Sequence, residues 1–395
     1  MKTSLLVVVQ RYGLEIVGGA ETLARNVTEH LAPHFDIEVA TTCAQDYWTW
    51  ANHYPPGDTT VRGVTVHRFP TVRERSRDFA SSSRRVLQEA HDLADETRWI
   101  LDQGPDAPAL LEWIHREGPR FDAALFVGYL YAPTLLGLPL LHDRAILMPA
   151  AHDEPAIRLS SYRALFHLPR AFSFSTLEEQ ELVHRLFPAT RTVPADVIGS
   201  GLDVPAGPPD PDRFRREHGI TRPFVLSFGR LSEAKGADVL LDHWCRFKDA
   251  PGSPNWDLVL AGQAEVTIPK RDDVHYLGFV DDRTKWDMLA ASSAHVLPSQ
   301  YESLSIVVME SWWCGKPALV RTACLPVAGQ VRRAAGGITY EGYPEFAEAL
   351  ALLARDAALR DRLGAGGHAY VEANYAWPVI VDKYLDLFAE LRIGR

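Results

Sequence analysis

The sequence predicts an α/β protein of two domains with parallel sheets, and three observations carry that prediction. The chain has 395 residues, more than one hydrophobic core comfortably serves. Short, continuous apolar runs recur along it, each followed by a helical pattern, which is how the buried strands of parallel sheets read. A polar, proline-rich stretch from Pro205 to Pro211 stands near the middle as a linker.

Taken in order, Ser4 to Val9 reads as a central strand, followed by a loop with Gly18-Gly19 and a helix from Ala20 to Leu31 with Glu21 in its first turn. Ile37 to Thr42 is the next strand, so these segments form one βαβ unit. The loop lacks the GxGxxG pattern of a dinucleotide site. Its glycines either let backbone approach a ligand closely or make an ordinary tight turn. Tyr47, Trp48, Trp50, His53 and Tyr54 form an aromatic cluster that suits sugar rings and equally suits a loop packed on itself. The basic run from Arg73 to Arg85 precedes an amphipathic helix predicted from Val86 to Gln103. It reads as a solvated helix start, with contact to an anionic membrane surface or an acidic acceptor as the alternative.

No charge occurs from Ala123 to Leu141, which approaches membrane-spanning length. Gly128, Pro133, Gly137 and Pro139 break the segment into a strand (Ala123 to Val127), a turn and a short helix. Ile146 to Ala150 is another buried strand, and His152 follows it, at the strand end where α/β sheets put ligands, although a lone histidine is more often structural. Ala171 to Thr176 and Val193 to Ile198 complete the first domain.

The second domain opens with the strand Phe224 to Phe228. Arg230 and Lys235 follow it and precede a helix, an arrangement that makes an anion site with fixed charge unless both are plain surface cations. Leu258 to Ala261 and Val274 to Leu277 are further strands. Then comes the most informative stretch, PSQYESLSIVVMESWWCGKP, from Pro298 to Pro317. It lies between the apolar runs Ala294–Leu297 and Ala318–Val320, and a helix is predicted from Ser305 to Trp313, stopped by Gly315 and Pro317. Glu302 then sits at a strand-to-helix turn and Glu310 within the helix. A helix N-terminus suits a phosphate, and two carboxylates beside it suit sugar hydroxyls, because an ionised carboxylate only accepts hydrogen bonds. The bland alternative has Glu302 capping the helix and Glu310 facing solvent.

Composition narrows the class. A net charge of −10 argues against a nucleic-acid binder. Cys43, Cys245, Cys314 and Cys324 show no CxxC pair and no metal spacing, which reads as thiols in a reducing compartment. No signal peptide is expected from the first residues.

PSxxES, with a second Glu eight positions after the first and then GKP, resembles the E-x7-E signature of the retaining GT-B glycosyltransferases of glycosyltransferase family 4. GGAE at Gly18-Gly19 resembles that family's N-terminal glycine loop, and GRLxxxKG at Arg230 and Lys235 its diphosphate clamp. The resemblance implies two Rossmann-like domains with parallel sheets facing a deep cleft, and a C-terminal helix, begun by YAW at Tyr375, that crosses back to the N-terminal domain. The domains implied are 1–203, on the acceptor side, with 377–395 packing on it, and 204–376, binding the nucleotide sugar.

By the same resemblance Gly18 and Gly19 meet the donor diphosphate and acceptor, and His152 faces the donor sugar. Arg230 and Lys235 hold the diphosphate, and Phe279 and Val280 meet the nucleobase through backbone; apart from the resemblance, Lys285 is a candidate to help read a base edge. Glu302 holds the transferred sugar, Ser303, Leu304 and Ser305 offer backbone N–H groups, and Glu310 holds the ribose. Leu304-Ser305 departs from the family's frequent Phe-Gly, and VIGSGLD from its usual interdomain segment.

The function expected is metal-independent, retaining transfer of a hexose from a GDP- or UDP-linked sugar to a hydroxyl of a glycan, glycolipid or small molecule. Beyond the donor as co-substrate, no cofactor and no nucleic-acid partner are expected. The expected location is cytoplasmic, with peripheral contact at the inner membrane face as the variant. The alternatives are an inactive NDP-sugar-binding partner of another transferase, or a GT-B phosphorylase or epimerase.

Overall fold

The computed structural model describes residues 2–16 and 18–393. The chain divides into two compact units, Met1–Gly201 with Trp377–Arg395, and Leu202–Ala376.

The first unit is built on an eight-stranded sheet: β1 Ser4–Val8, β2 Asp36–Thr42, β3 Gly57–Val61, β4 Val64–Phe69, β5 Ala123–Val127, β6 Ala145–Met148, β7 Ala171–Phe174 and β8 Ala195–Val197. Their order is β3-β4-β2-β1-β5-β6-β7-β8. Leu5 to Val8 of β1 are fully buried, as expected of a strand covered on both faces. The β3–β4 hairpin is antiparallel and was not expected from the sequence. Arg62 and Gly63 turn it with positive φ at both positions (45° and 83°), the twist that a two-residue hairpin turn favours.

The helix predicted from Val86 to Gln103 is two helices, Phe79–Gln88 and Leu93–Gln103. The break has a local cause. Asp92 accepts from Asp95 N and Asp95 reaches back to Asp92 N, a capping box that starts a new helix. The basic run thus lies partly inside the first helix, and Arg73 and Arg85 pair with Asp106 and Asp95. The uncharged segment forms β5 and the helix Ala132–Gly137. Among the described residues no helix is long and apolar enough to cross a membrane.

The last helix, Trp377–Glu390, packs on the first unit. Trp377 stacks on His30 with ring centroids 3.6 Å apart, and Phe388 meets Phe35 edge-on at 4.9 Å. Gly201 is a requirement of that docking, since a Cβ there would lie 2.3 Å from the Trp377 ring.

The second unit holds six parallel strands: β9 Phe224–Phe228, β10 Asp257–Ala261, β11 Val274–Tyr276, β12 Ala294–Leu297, β13 Ala318–Arg321 and β14 Gly337–Tyr340. The order is β11-β10-β9-β12-β13-β14. Strand residues alternate between two cores: Val225, Leu258 and Leu260 pack with Trp244, while Leu226 and Val259 pack with Trp286 and Met288. The chain runs outward from β9 through β10 to β11, then returns to β12 on the other side of β9. This reversal makes the carboxyl ends of β9 and β12 a topological switch point, where α/β sheets place ligands.

Candidate active site

Two loops leave that switch point. After β9, Gly229 (φ 128°) leads through Arg230 and Lys235 to Gly236 (φ 74°) and the helix Ala237–Asp249. After β12, residues 298–305 lead into the helix Ile306–Trp313. The loops approach so closely that a Cβ at Gly236 would stand 2.5 Å from the carbonyl oxygen of Pro298. Only glycine tolerates both that contact and the left-handed backbone.

The helix start is made by Ser305, whose hydroxyl accepts from Val308 N at 3.4 Å. Glu302 is therefore not the cap. Its Oε1 lies 2.7 Å from Lys235 Nζ, so an ion pair ties the two loops together. Lys235 also donates to the Tyr301 carbonyl at 3.4 Å. Arg230 is exposed and forms no ion pair among the described residues. Ser303 and Leu304 are half-buried and Ser305 is buried.

Glu310 does not face solvent: it is 6 % exposed. Its Oε1 accepts from Lys285 Nζ at 2.7 Å, across from the helix Asp282–Ala291. Burial pushes the Glu310 carboxyl up, Lys285 opposes this, and Asp282 and Asp203 add to the rise. Burial alone would lower Lys285, but Glu310 and Asp282 outweigh it and hold the ammonium protonated. Lys285, expected at a base edge, is thus paired with Glu310 in the structure. In the loop before that helix Phe279 is 82 % exposed, while Val280 packs against the second core.

Cys324 ends the loop after β13 beside Glu302. Burial and the Glu302 carboxylate push its thiol up to about 12, so it is no thiolate nucleophile. Burial does the same to Cys314.

In the first unit, Gly18 caps the helix Gly19–Leu31 in an extended conformation. A Cβ on Gly18 would meet the Glu21 carboxylate at 2.3 Å, whereas Gly19 has open space around it. Glu21 is buried and accepts from Arg11 Nε and Nη2 at 2.8 and 2.6 Å. The glycine at 18 therefore makes room for this ion pair, and Gly19 leaves backbone open to approach. Tyr47, Trp50 and Tyr131 pack edge to face, with the Arg75 guanidinium 4.9 Å from the Trp50 ring. Trp50 is buried within this loop cluster, and Trp48 is exposed.

His152 is half-buried and follows Ala150, whose φ is 50°. Its neighbour Ala151 donates its N–H to Glu179 Oε1 at 2.6 Å, and Ser175 N donates to Glu179 Oε2 at 2.5 Å. Glu179 thereby staples the segments that follow β6 and β7, at the residue before His152. Burial pushes its carboxyl up to about 7 in spite of the backbone N–H groups that oppose the shift. Glu179 is not among the site residues that the sequence singles out. Its signal was the capping-box spacing Thr176-x-x-Glu179, which does not reveal that the carboxylate reaches a neighbouring strand.

The sheets and their connections are those of a GT-B protein, an α/β fold of two Rossmann-like domains with parallel sheets. The same fold is seen in sucrose-phosphate synthase from Thermosynechococcus elongatus (TM-score 0.73, 15 % identity, all of both chains). It is seen again in HepE from Anabaena, solved with UDP and glucose (TM-score 0.69, 15 % identity, 98 % of this chain and 99 % of that one).

Within the chain, residues 210–369 match the family model for glycosyl transferases group 1. One curated relative is the GDP-mannose-dependent monoacylated alpha-(1-6)-phosphatidylinositol monomannoside mannosyltransferase of Corynebacterium glutamicum. It is 27 % identical over 210 residues, 48 % of this chain and 55 % of the relative. A second is the lipopolysaccharide core biosynthesis glycosyltransferase LpsE of Rhizobium meliloti, 31 % identical over 193 residues, 45 % and 53 % of the two chains. The matches thus span about half the length of these relatives. Together the likenesses show the GT-B fold, with a match to the glycosyl transferases group 1 model over residues 210–369.

Proposed function

We propose that this protein is a retaining glycosyltransferase that moves a hexose from a UDP- or GDP-linked sugar to an acceptor hydroxyl without a metal ion. The observation that carries the reading is the switch point of the second unit, where Lys235 and Glu302 pair across two loops at helix N-termini. Anionic diphosphate suits Arg230, Lys235 and unpaired backbone N–H groups; sugar and ribose hydroxyls suit Glu302 and Glu310. Mannosyl transfer from GDP-mannose in one relative, and UDP with glucose bound to one neighbour of the same fold, support a nucleotide-sugar donor.

In this mechanism the bond between the anomeric carbon and the diphosphate oxygen breaks as positive charge develops on the sugar. Arg230, Lys235 and the helix N-termini stabilise the charge gathering on the departing diphosphate, an effect of the kind that usually dominates such catalysis. Lys235 exchanges its Glu302 partner for a diphosphate oxygen, which frees Glu302 for sugar hydroxyls. The acceptor oxygen bonds the anomeric carbon on the face that the diphosphate leaves and gives its proton to the departing phosphate oxygen, so configuration is retained. His152, Gly18 and Gly19 of the first unit are proposed to serve the donor sugar and the acceptor.

Thermal melts against a panel of UDP- and GDP-sugars test the proposal, because a bound donor stabilises by mass action. One sugar nucleotide should raise the melting temperature in a concentration-dependent way and be consumed only with an acceptor. A chain that no nucleotide sugar stabilises would contradict the proposal.

A further inference from the structure

Glu310 poses a problem that its proposed role does not answer. A carboxylate that accepts ribose hydroxyls must be ionised, yet this one lies 6 % exposed, where burial favours the neutral acid. A protonated carboxyl would donate a hydrogen bond and give up part of its accepting capacity. The cation that meets Glu310 is the Lys285 ammonium, 2.7 Å from Oε1. Lys285 has a further anchor in Asp282, one turn back on its own helix at 3.3 Å, and its ammonium lies 4.9 Å from the Trp286 ring centroid. The Lys285 side chain is 16 % exposed. Glu310 Oε2 accepts no hydrogen bond among the described residues.

We propose that Lys285 is a positioning residue, which holds the Glu310 carboxylate ionised and turned so that Oε2 accepts from the ribose hydroxyls of the bound nucleotide. The inference rests on the ribose role of Glu310. It differs from a base-reading role for Lys285 in a way that binding can separate. A lysine on the base would set the preference for UDP over GDP, or the reverse. A lysine on Glu310 sets the preference for ribose over deoxyribose and leaves the base preference alone.

The experiment is calorimetric titration of the whole chain with UDP, GDP and the 2′- and 3′-deoxy forms of both. Wild-type protein should prefer the ribonucleotide by about 10-fold or more for at least one hydroxyl. In Lys285→Met that preference should collapse towards one and recover as pH is raised and the unpaired carboxyl ionises. The UDP:GDP ratio should not move, and Lys285→Arg, which keeps the cation, should restore part of the preference. If Lys285→Met melts too low for titration, Lys285→Met/Glu310→Gln removes the unpaired buried charge. The double variant should then show the same ribose preference as Glu310→Gln alone. Full ribose preference in Lys285→Met, a changed UDP:GDP ratio, or a further loss in the double variant overturns the inference while the ribose role stands. A wild-type chain that binds nucleotide but ignores the ribose hydroxyls overturns both together. One that binds no nucleotide overturns them along with the proposed function.

Discussion

Replacing Lys235 by alanine should separate stability from nucleotide binding. The Lys235–Glu302 pair is short, 2.7 Å, but the two side chains are 31 % and 18 % exposed, so solvent screens it. Pairs of this kind contribute about 0–1 kcal/mol, and the variant should melt within a few degrees of the wild type. Binding should respond far more. In the proposed mechanism Lys235 leaves Glu302 for a diphosphate oxygen, a charge-assisted contact worth about 1.5–3 kcal/mol, or roughly 10- to 150-fold in Kd. The freed Glu302 adds an uncompensated negative charge, so the loss should sit at the upper end and shrink as salt is added. Titration calorimetry with the preferred diphosphate, run beside thermal melts, reads both quantities. Unchanged affinity with full turnover would refute the diphosphate role of Lys235, and a large stability loss would refute the account of the pair as screened.

Three further outcomes follow from the same geometry. Glu310→Gln should weaken plain diphosphate binding by about 1–3 kcal/mol, whereas Glu302→Gln should leave it nearly unchanged and act on the intact donor and on kcat; equal losses in both would mean that the roles are not divided this way. EDTA should leave activity largely intact, and a loss restored by magnesium or manganese would show a metal requirement. Glu179, raised to about 7 by burial, binds its proton more tightly folded than unfolded, so its contribution is greatest below about pH 4 and declines as pH rises to about 7, by roughly 3 kcal/mol in all. Glu179→Ala should flatten that part of the stability profile in chemical denaturation, and an unchanged slope would rule this residue out as its source.

Much of the architecture could be read from the chain because it rests on local rules. The strands Ala123–Val127, Phe224–Phe228 and Ala294–Leu297 are continuous apolar runs bounded by turn residues, and the structure has them at those limits. The helix Ile306–Trp313 starts at a serine and ends just before Gly315, as its spacing and stop residues require. Arg230, Lys235 and Glu302 are legible as candidates because each lies in a loop between a strand and the helix that follows it.

What the tertiary structure decided is which groups meet. Glu21 reads only as a charge in the first turn of its helix, yet it is buried against Arg11 from the loop that follows β1. Lys285 and Glu310 stand on separate helices, and nothing in either helix's own pattern says that the two faces pack together. Glu179 staples the segments that follow β6 and β7, a contact that exists only once those strands lie side by side. Helices and strands follow from spacing over a few residues. The desolvation that moves a carboxyl's pKa, and the partner that answers it, depend on distances across the sheet that only folding sets.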